Sequence, residues 1–182
     1  SCAGYFAMKL ALIFDQNRPD TLGNYFLAAC QALGLEYAHY PLSALSAIPA
    51  KHDWYLRIDH GDDYAIDWPK RLRPASFYAI DTHLSHSWKK IRRVADDYDS
   101  VFCCHRQAAE ALRGAEWIPV GCDPKIHAPV VSSQQWDIGF VGTEGAIPRK
   151  FYLQALRERY PSTRIGAADY RQIGHVYANS RI

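Results

Sequence analysis

Lys9–Gly34 reads KLALIFDQNRPDTLGNYFLAACQALG. Its opening, Lys9–Asp15, is an apolar run with a polar end, the pattern of a strand buried on both faces of a parallel sheet. Asp20 or Thr21 can cap a helix, and within Thr21–Leu33 the residues Leu22, Tyr25, Phe26, Ala29 and Leu33 share one face. Gly34 stands where a helix C-terminus wants a residue with positive φ. The stretch is a strand-then-helix unit, and such units build parallel sheets.

Working outward, the unit recurs. Glu36–Tyr40 is a second strand, and Asp53–Asp59 (DWYLRID) a third that breaks at Gly61. Ser76–Asp81 (SFYAID) is a fourth. Ser85 can cap a helix over Trp88–Asp97, with Trp88, Ile91, Val94 or Ala95, and Tyr98 facing inward. Val101–Cys104 is a fifth strand, Arg106–Leu112 a short helix closed by Gly114, and Trp117–Val120 a sixth strand. This alternation predicts an α/β fold over residues 8–122: a Rossmann-like, doubly wound parallel sheet covered on both faces.

Asp123–Gln135 (DPKIHAPVVSSQQ) carries no period and reads as a linker. The pattern then restarts. Trp136–Val141 is a strand and Gly142–Ile147 a glycine-containing loop. Pro148 suits the first position of a helix reaching Arg159, with Tyr152, Leu156 and Tyr160 on its buried face. A short strand at Thr163–Ile165 and a helix at Ile173–Ala178 follow. Residues 136–182 are too few to bury both faces of a sheet. The expectation is an incomplete second Rossmann-like domain, cut before its later half. Residues 1–7 (SCAGYFA) precede the single methionine, Met8, and read as a tag, scar or upstream read-through rather than a signal peptide.

Bulk properties exclude several classes. The 182 residues are 48% hydrophobic and 22% charged with net charge +2, which argues against disorder and against a polyanionic partner. No apolar run approaches the roughly 20 residues that span a bilayer. The cysteines (Cys2, Cys30, Cys103, Cys104, Cys122) are odd in number and lack CxxC spacing, so a disulfide framework and a zinc site are disfavoured. Cys103 and Cys104 point to opposite faces of a strand. Buried thiols in a reducing cytoplasm are the simplest reading. The basic stretches Lys70–Arg73 and Lys89–Arg93 lie beside Trp68 and Trp88. They read as solvated helix faces, with peripheral membrane contact as the alternative; nucleic-acid binding wants a stronger basic excess and a recognisable module.

Trp117–Pro129 (WIPVGCDPKIHAP) is similar to the interdomain linker of GT-B glycosyltransferases, which reads Ile-Pro-x-Gly-x-Asp and then Phe-x-Pro. Ile118, Pro119, Gly121, Asp123, Pro124 and Pro129 match, and His127 replaces the usual aromatic. Asp137–Lys150 (DIGFVGTEGAIPRK) looks like the first strand and loop of the donor-binding domain, most like the spore-maturation (CgeB-like) branch of the group 1 enzymes. Tyr170–Ile182 resembles that branch's Tyr-x-x-Ser-x-Ile helix, with Asn179 and Ser180 near the expected place. The resemblance is specific over roughly residues 115–182. It implies a GT-B N-terminal domain, a nucleotide-sugar donor, a glycan or other acceptor, and no cofactor or obligate metal. It also implies a donor-site acidic motif downstream of Ile182, so this chain alone is expected to be inactive, or to pair with a second copy or a separate donor-domain chain.

Glycosyl transfer needs a base for the acceptor hydroxyl and stabilisation of the leaving diphosphate. Asp81-Thr82-His83 ends a predicted strand, at the edge of the sheet where such folds bind ligands, and the resemblance favours Asp81 or His83, with His86 nearby. Asp59-His60 with Asp62 and Asp63, and Asp15-Gln16-Asn17, would line the same cleft. Gly142 and Thr143 precede a helix start, and Arg149 and Lys150 lie in its first turn, a cradle for the donor phosphates; Glu144 is an unwelcome charge there. His60, Asp81, His83 and His86 lack helical metal-ligand spacing. The rival reading is a non-catalytic glycan-, nucleotide- or protein-binding Rossmann-like module. A flavodoxin-like domain would need a glycine in Asp15–Pro19, and there is none.

Overall fold

A computed structural model describes residues 8–61, 64, 66–128, 130–131, 133–145 and 147–182. The readings that involve Asp62, Asp63 and Pro129 lie outside the described residues. The chain divides into two compact units, the first ending at Gly121 and the second Cys122–Ile182.

The first unit is a parallel α/β sheet. Its strands are β1 (Lys9–Ile13), β2 (Glu36–Tyr40), β3 (Trp54–Ile58), β4 (Ala75–Ala79), β5 (Ser100–Cys103) and β6 (Ala115–Trp117). They pair in the order β2-β1-β3-β4-β5-β6, every pair parallel. Helices α1 (Leu22–Leu33), α2 (Ser85–Val94) and α3 (Arg106–Ala111) connect them, with a 3-10 turn at Leu42–Ala47.

Handedness decides which face is covered. Right-handed crossovers that run one way along a sheet all lie on one face, and a crossover running the other way lies on the opposite face. Only β1 to β2 runs against the rest, so among the described connections of this sheet α1 is the one on the second face. On the first face Ile13, Tyr55, Phe77 and Cys103 pack with Leu45, Trp68, Leu72, Ile91 and Tyr98. On the second, Leu12, Phe14, Tyr78 and Cys104 meet Phe26, Leu27 and Cys30 of α1. Helices therefore lie on both faces, as the alternation of strands and helices leads one to expect, with α1 on one and α2 and α3 on the other. Beyond α1 the second face opens into an apolar cavity of about 200 Å³ lined by residues that include Leu56, Tyr78, Phe102 and Ile118. Cys103 and Cys104 do fall in opposite cores.

Several local readings shift. The buried face of α1 contains Gly23 and Cys30, whereas Leu33 is 73% exposed. Gly23, Phe26, Leu27 and Cys30 follow the i, i+3, i+4, i+7 rule, but a glycine and a cysteine do not advertise a core face. Gly34 takes the left-handed conformation at φ 66°. Leu84, not Ser85, precedes α2, with no side-chain cap. The sixth strand is Ala115–Trp117, earlier than expected, and Ile118 N–H adds the last rung of its ladder, to the Cys103 carbonyl at 3.0 Å.

The second unit pairs β7 (Ile138–Val141) with β8 (Thr163–Gly166) in parallel, joined by α4 (Arg149–Arg159) and followed by α5 (Ile173–Ala178). Trp136 bridges Ser180 in parallel, and Gly139 N–H reaches the Ile182 carbonyl at 2.8 Å. Residues 180–182 thus run along the other edge of β7. The spatial order second-first-third repeats that of β2-β1-β3. Leu153, not Tyr152, is the buried residue of α4, and Tyr152 is 67% exposed. So narrow a sheet offers α4 little apolar surface to cover.

Both units depend on a glycine at a close approach. A Cβ on Gly23 would meet the Phe14 ring at 2.2 Å, and one on Gly139 would meet Ser180 Oγ at 2.0 Å. Gly23→Ala must push α1 off β1. The expected loss is about 1–3 kcal/mol, as for an overpacked core, measured by urea unfolding; an unchanged midpoint would contradict this packing.

Candidate functional site

The carboxyl ends of the strands form the rim where doubly wound sheets bind ligands. Asp15 follows β1, Asp59 and His60 follow β3, Asp81-Thr82-His83 closely follow β4, and Cys104-His105 follow β5.

Asp59 organises this rim. It is 0% exposed. One carboxylate oxygen accepts from Gly61 N–H at 2.9 Å and Tyr64 O–H at 2.7 Å. The other accepts from Ile80 N–H at 3.1 Å and, weakly, Asp81 N–H at 3.4 Å. The expectation that Asp59 lines open cleft is corrected: its lone pairs are occupied and no solvent reaches it.

Asp81 is half-buried, and its chemistry is different. A Cβ on Gly61, whose φ is 78°, would come 3.1 Å from Asp81 Oδ2, so the carboxylate lies against bare backbone. Burial first, and then the charge of Asp59, push its carboxyl above the ordinary carboxylate value, while His83, His105 and His86 pull it down. The carboxylate is therefore poised: neighbours oppose its ionisation and imidazoles stand ready to favour it.

Sequence reasoning missed His105. Its ring centroid lies 5.0 Å from that of His83. Its Nδ1 is 2.7 Å from Thr82 Oγ1 and 3.0 Å from Cys104 Sγ. The available signal was positional, because His105 follows β5 much as His60 follows β3. Cys104 Sγ donates to the Ile80 carbonyl at 2.8 Å, and burial raises its pKa. A protonated, donating thiol is not a nucleophile, so the pair with His105 is a fixing contact for the ring.

The remaining predicted residues divide. Asp15 Oδ1 accepts from Leu42 N–H at 2.8 Å, and its Oδ2 lies 3.7 Å from His60 Nε2, so these two do meet. Asn17 is exposed, with no hydrogen bond among the described residues. Gly142 donates its N–H to the Gly166 carbonyl at 3.1 Å, so that amide is engaged in the ladder between β7 and β8. Arg149 Nη1 donates to the Thr143 carbonyl at 3.2 Å and its guanidinium sits 5.8 Å from the Phe140 ring centroid. Glu144 is paired with Arg157, which holds its carboxyl below the usual range and neutralises the charge that seemed out of place. Of the basic stretches, Arg71 donates to the Ser46 and Ile48 carbonyls and Arg73 pairs with Asp99, whereas Lys89, Arg92 and Arg93 are exposed on α2.

Among the described residues no group of three His, Cys, Asp or Glu side chains could hold a metal ion, and no helix is long and apolar enough to cross a membrane. Comparison with known proteins finds no matching family model, no matching curated protein and no matching solved structure. The fold and the rim together define a Rossmann-like parallel α/β protein with a carboxylate–histidine cluster at the carboxyl edge of its sheet.

The Asp81 shift has a stability consequence. Its folded value lies above its unfolded value, so between the two the folded chain holds a proton that the unfolded chain releases. Stability then falls as pH rises through that window, and the ionised carboxylate is a net cost above it. Asp81→Asn is expected to melt above the parent at pH 7, the gain vanishing below the ordinary Asp value of about 3.9. Thermal melts from pH 3 to pH 8 check this; a variant less stable than the parent at pH 7 contradicts it.

Proposed function

We propose that the chain belongs to a GT-B-type glycosyltransferase, as its acceptor-side domain and the opening of its donor-side domain. The reaction is transfer of a sugar from a nucleotide sugar to an acceptor hydroxyl. The observation that carries it is Asp81: a carboxylate of raised pKa at the carboxyl rim of a parallel sheet, among His83, His86 and His105. A base whose pKa approaches the working pH is the more effective proton acceptor.

In the proposed step Asp81 takes the acceptor hydroxyl proton, or His83 does so in its place. The acceptor oxygen forms its bond to the anomeric carbon as the bond from that carbon to the diphosphate breaks, and the electron pair leaves with the nucleoside diphosphate. Asp59 fixes the loop that carries Asp81. Two features support the donor side. The second unit repeats the second-first-third strand order of the first, as expected for twin Rossmann-like domains. The linker and the Asp137–Lys150 stretch resemble the family's. Arg149 and Lys150 lie in the first turn of α4, and Arg157 is already paired with Glu144; Arg149 would exchange its bond to the Thr143 carbonyl for one to a phosphate oxygen, a charge-assisted contact of greater strength.

The test is release of nucleoside diphosphate from UDP-, GDP- and dTDP-sugars over an acceptor panel, using the longest natural reading frame that contains this chain. Asp81→Asn is expected to lower kcat by about 10²–10⁴-fold with KM little changed. Micromolar binding of one of UDP, GDP or dTDP is expected by calorimetry. Absence of both binding and transfer would remove the glycosyltransferase reading and leave a non-catalytic binding module.

A further inference from the structure

Beside Asp81 lies a second cavity, of about 170 Å³, between the loop after β4 and helices α2 and α3. Thr82, His83, Trp88, His105, Gln107, Ala108 and Ala111 line it. We propose that this cavity is the acceptor subsite and that the acceptor is a carbohydrate, which enters it as a single pyranose ring packed on the indole of Trp88. The proposal rests on the sugar-transfer reading above and adds to it the chemical class of the acceptor.

Its size comes first. Pockets for drug-sized ligands run to about 300–1,000 Å³, so this one takes one ring rather than an extended chain. The lining chemistry narrows the class. The polar groups are a hydroxyl, two imidazoles and an amide, and each of these types can both donate and accept. That suits a polyol, whose every hydroxyl does the same. Among the described residues no lysine or arginine lines the cavity, which disfavours a phosphate or a carboxylate. The apolar wall is an indole with two alanines, a flat surface opposite small side chains, and it matches the C–H face of a pyranose.

The walls are also held in place. Trp88 is half-buried and packs against the core that contains Ile91 and Tyr98. Thr82 is 7% exposed and its hydroxyl, 2.7 Å from His105 Nδ1, fixes that ring. His105 therefore meets a ligand with Nε2, the nitrogen left over. His83 lines the cavity and also bears on the Asp81 carboxylate. A ring seated here has its hydroxyls next to the proposed base.

The experiment titrates the whole chain with methyl pyranosides of glucose, galactose, mannose and N-acetylglucosamine, followed by saturation-transfer NMR and tryptophan fluorescence. One of them is expected to bind at millimolar Kd. Ala111→Trp, a change at an exposed position, fills the cavity without disturbing the core and is expected to abolish binding; Gln107→Leu is expected to weaken it by up to about tenfold. Trp88→Ala should do likewise, read only if it stays folded. If no pyranoside binds, or if Ala111→Trp leaves binding intact, the subsite is overturned. Transfer of sugar to an acceptor that proceeds unaltered in Ala111→Trp overturns the subsite and leaves sugar transfer standing. Pyranoside binding that Ala111→Trp abolishes, with no turnover of any nucleotide sugar, keeps the carbohydrate site and removes the catalytic reading.

Discussion

The rim of the sheet depends on one buried carboxylate. Asp59 accepts from the backbone of Gly61 and Ile80 and from the Tyr64 hydroxyl. An isolated charge at 0% exposure would be prohibitively costly; here each oxygen is occupied, and the loops after β3 and β4 are fastened to a common point. The fastening has an electrostatic effect too. It sets a fixed negative charge beside Asp81, and that charge, after burial, is what raises the Asp81 pKa. Structure and chemistry share a cause: the residue that shapes the loop also tunes the neighbouring acid.

The direction of the chain accounts for the distribution of cover. With every crossover but one running the same way, α2, α3 and the segment around Trp68 and Leu72 crowd one face. The crowding produces the cavity between α2 and α3 on the rim side. The opposite face keeps α1 and leaves Leu56, Tyr78 and Phe102 around an apolar hollow. The polar groups on that face are settled internally, since Trp54 Nε1 donates to Ser76 Oγ at 2.7 Å and Ser76 and Ser100 share a 2.6 Å bond.

The parallel α/β architecture was legible because its signals are local. Leu10–Phe14 is apolar throughout, Gly34 carries the helix stop, and Ser76–Asp81 breaks where a strand should. What escaped depended on distant partners. The buried face of α1 runs through Gly23 and Cys30, and Gly23 matters because Phe14 lies across from it. Asp59 and Asp81 read alike as acids after strands. Only the fold shows that one is saturated with donors and the other is not. His105 is a lone histidine in sequence and becomes part of the cluster because β5 lies beside β4.

The residues behind the resemblance also divide once their contacts are known. Asp123 caps its own turn, accepting from Lys125 N–H at 2.8 Å. Asn179, 1% exposed, accepts from Ser133 and donates to the His175 carbonyl, tying the segment before β7 to α5. Ser180 donates to the Val176 carbonyl at 2.7 Å over the bare Cα of Gly139. These residues hold backbone together, and their presence follows from the second unit's geometry whatever it binds. Lys150 is different. It is exposed in the first turn of α4, makes no side-chain hydrogen bond among the described residues, and acts on the already paired Glu144 through its charge. Such a lysine at a helix start, where the dipole already favours anions, keeps its ammonium uncommitted, whereas Arg149 holds the Thr143 carbonyl and the Gly142 amide holds that of Gly166.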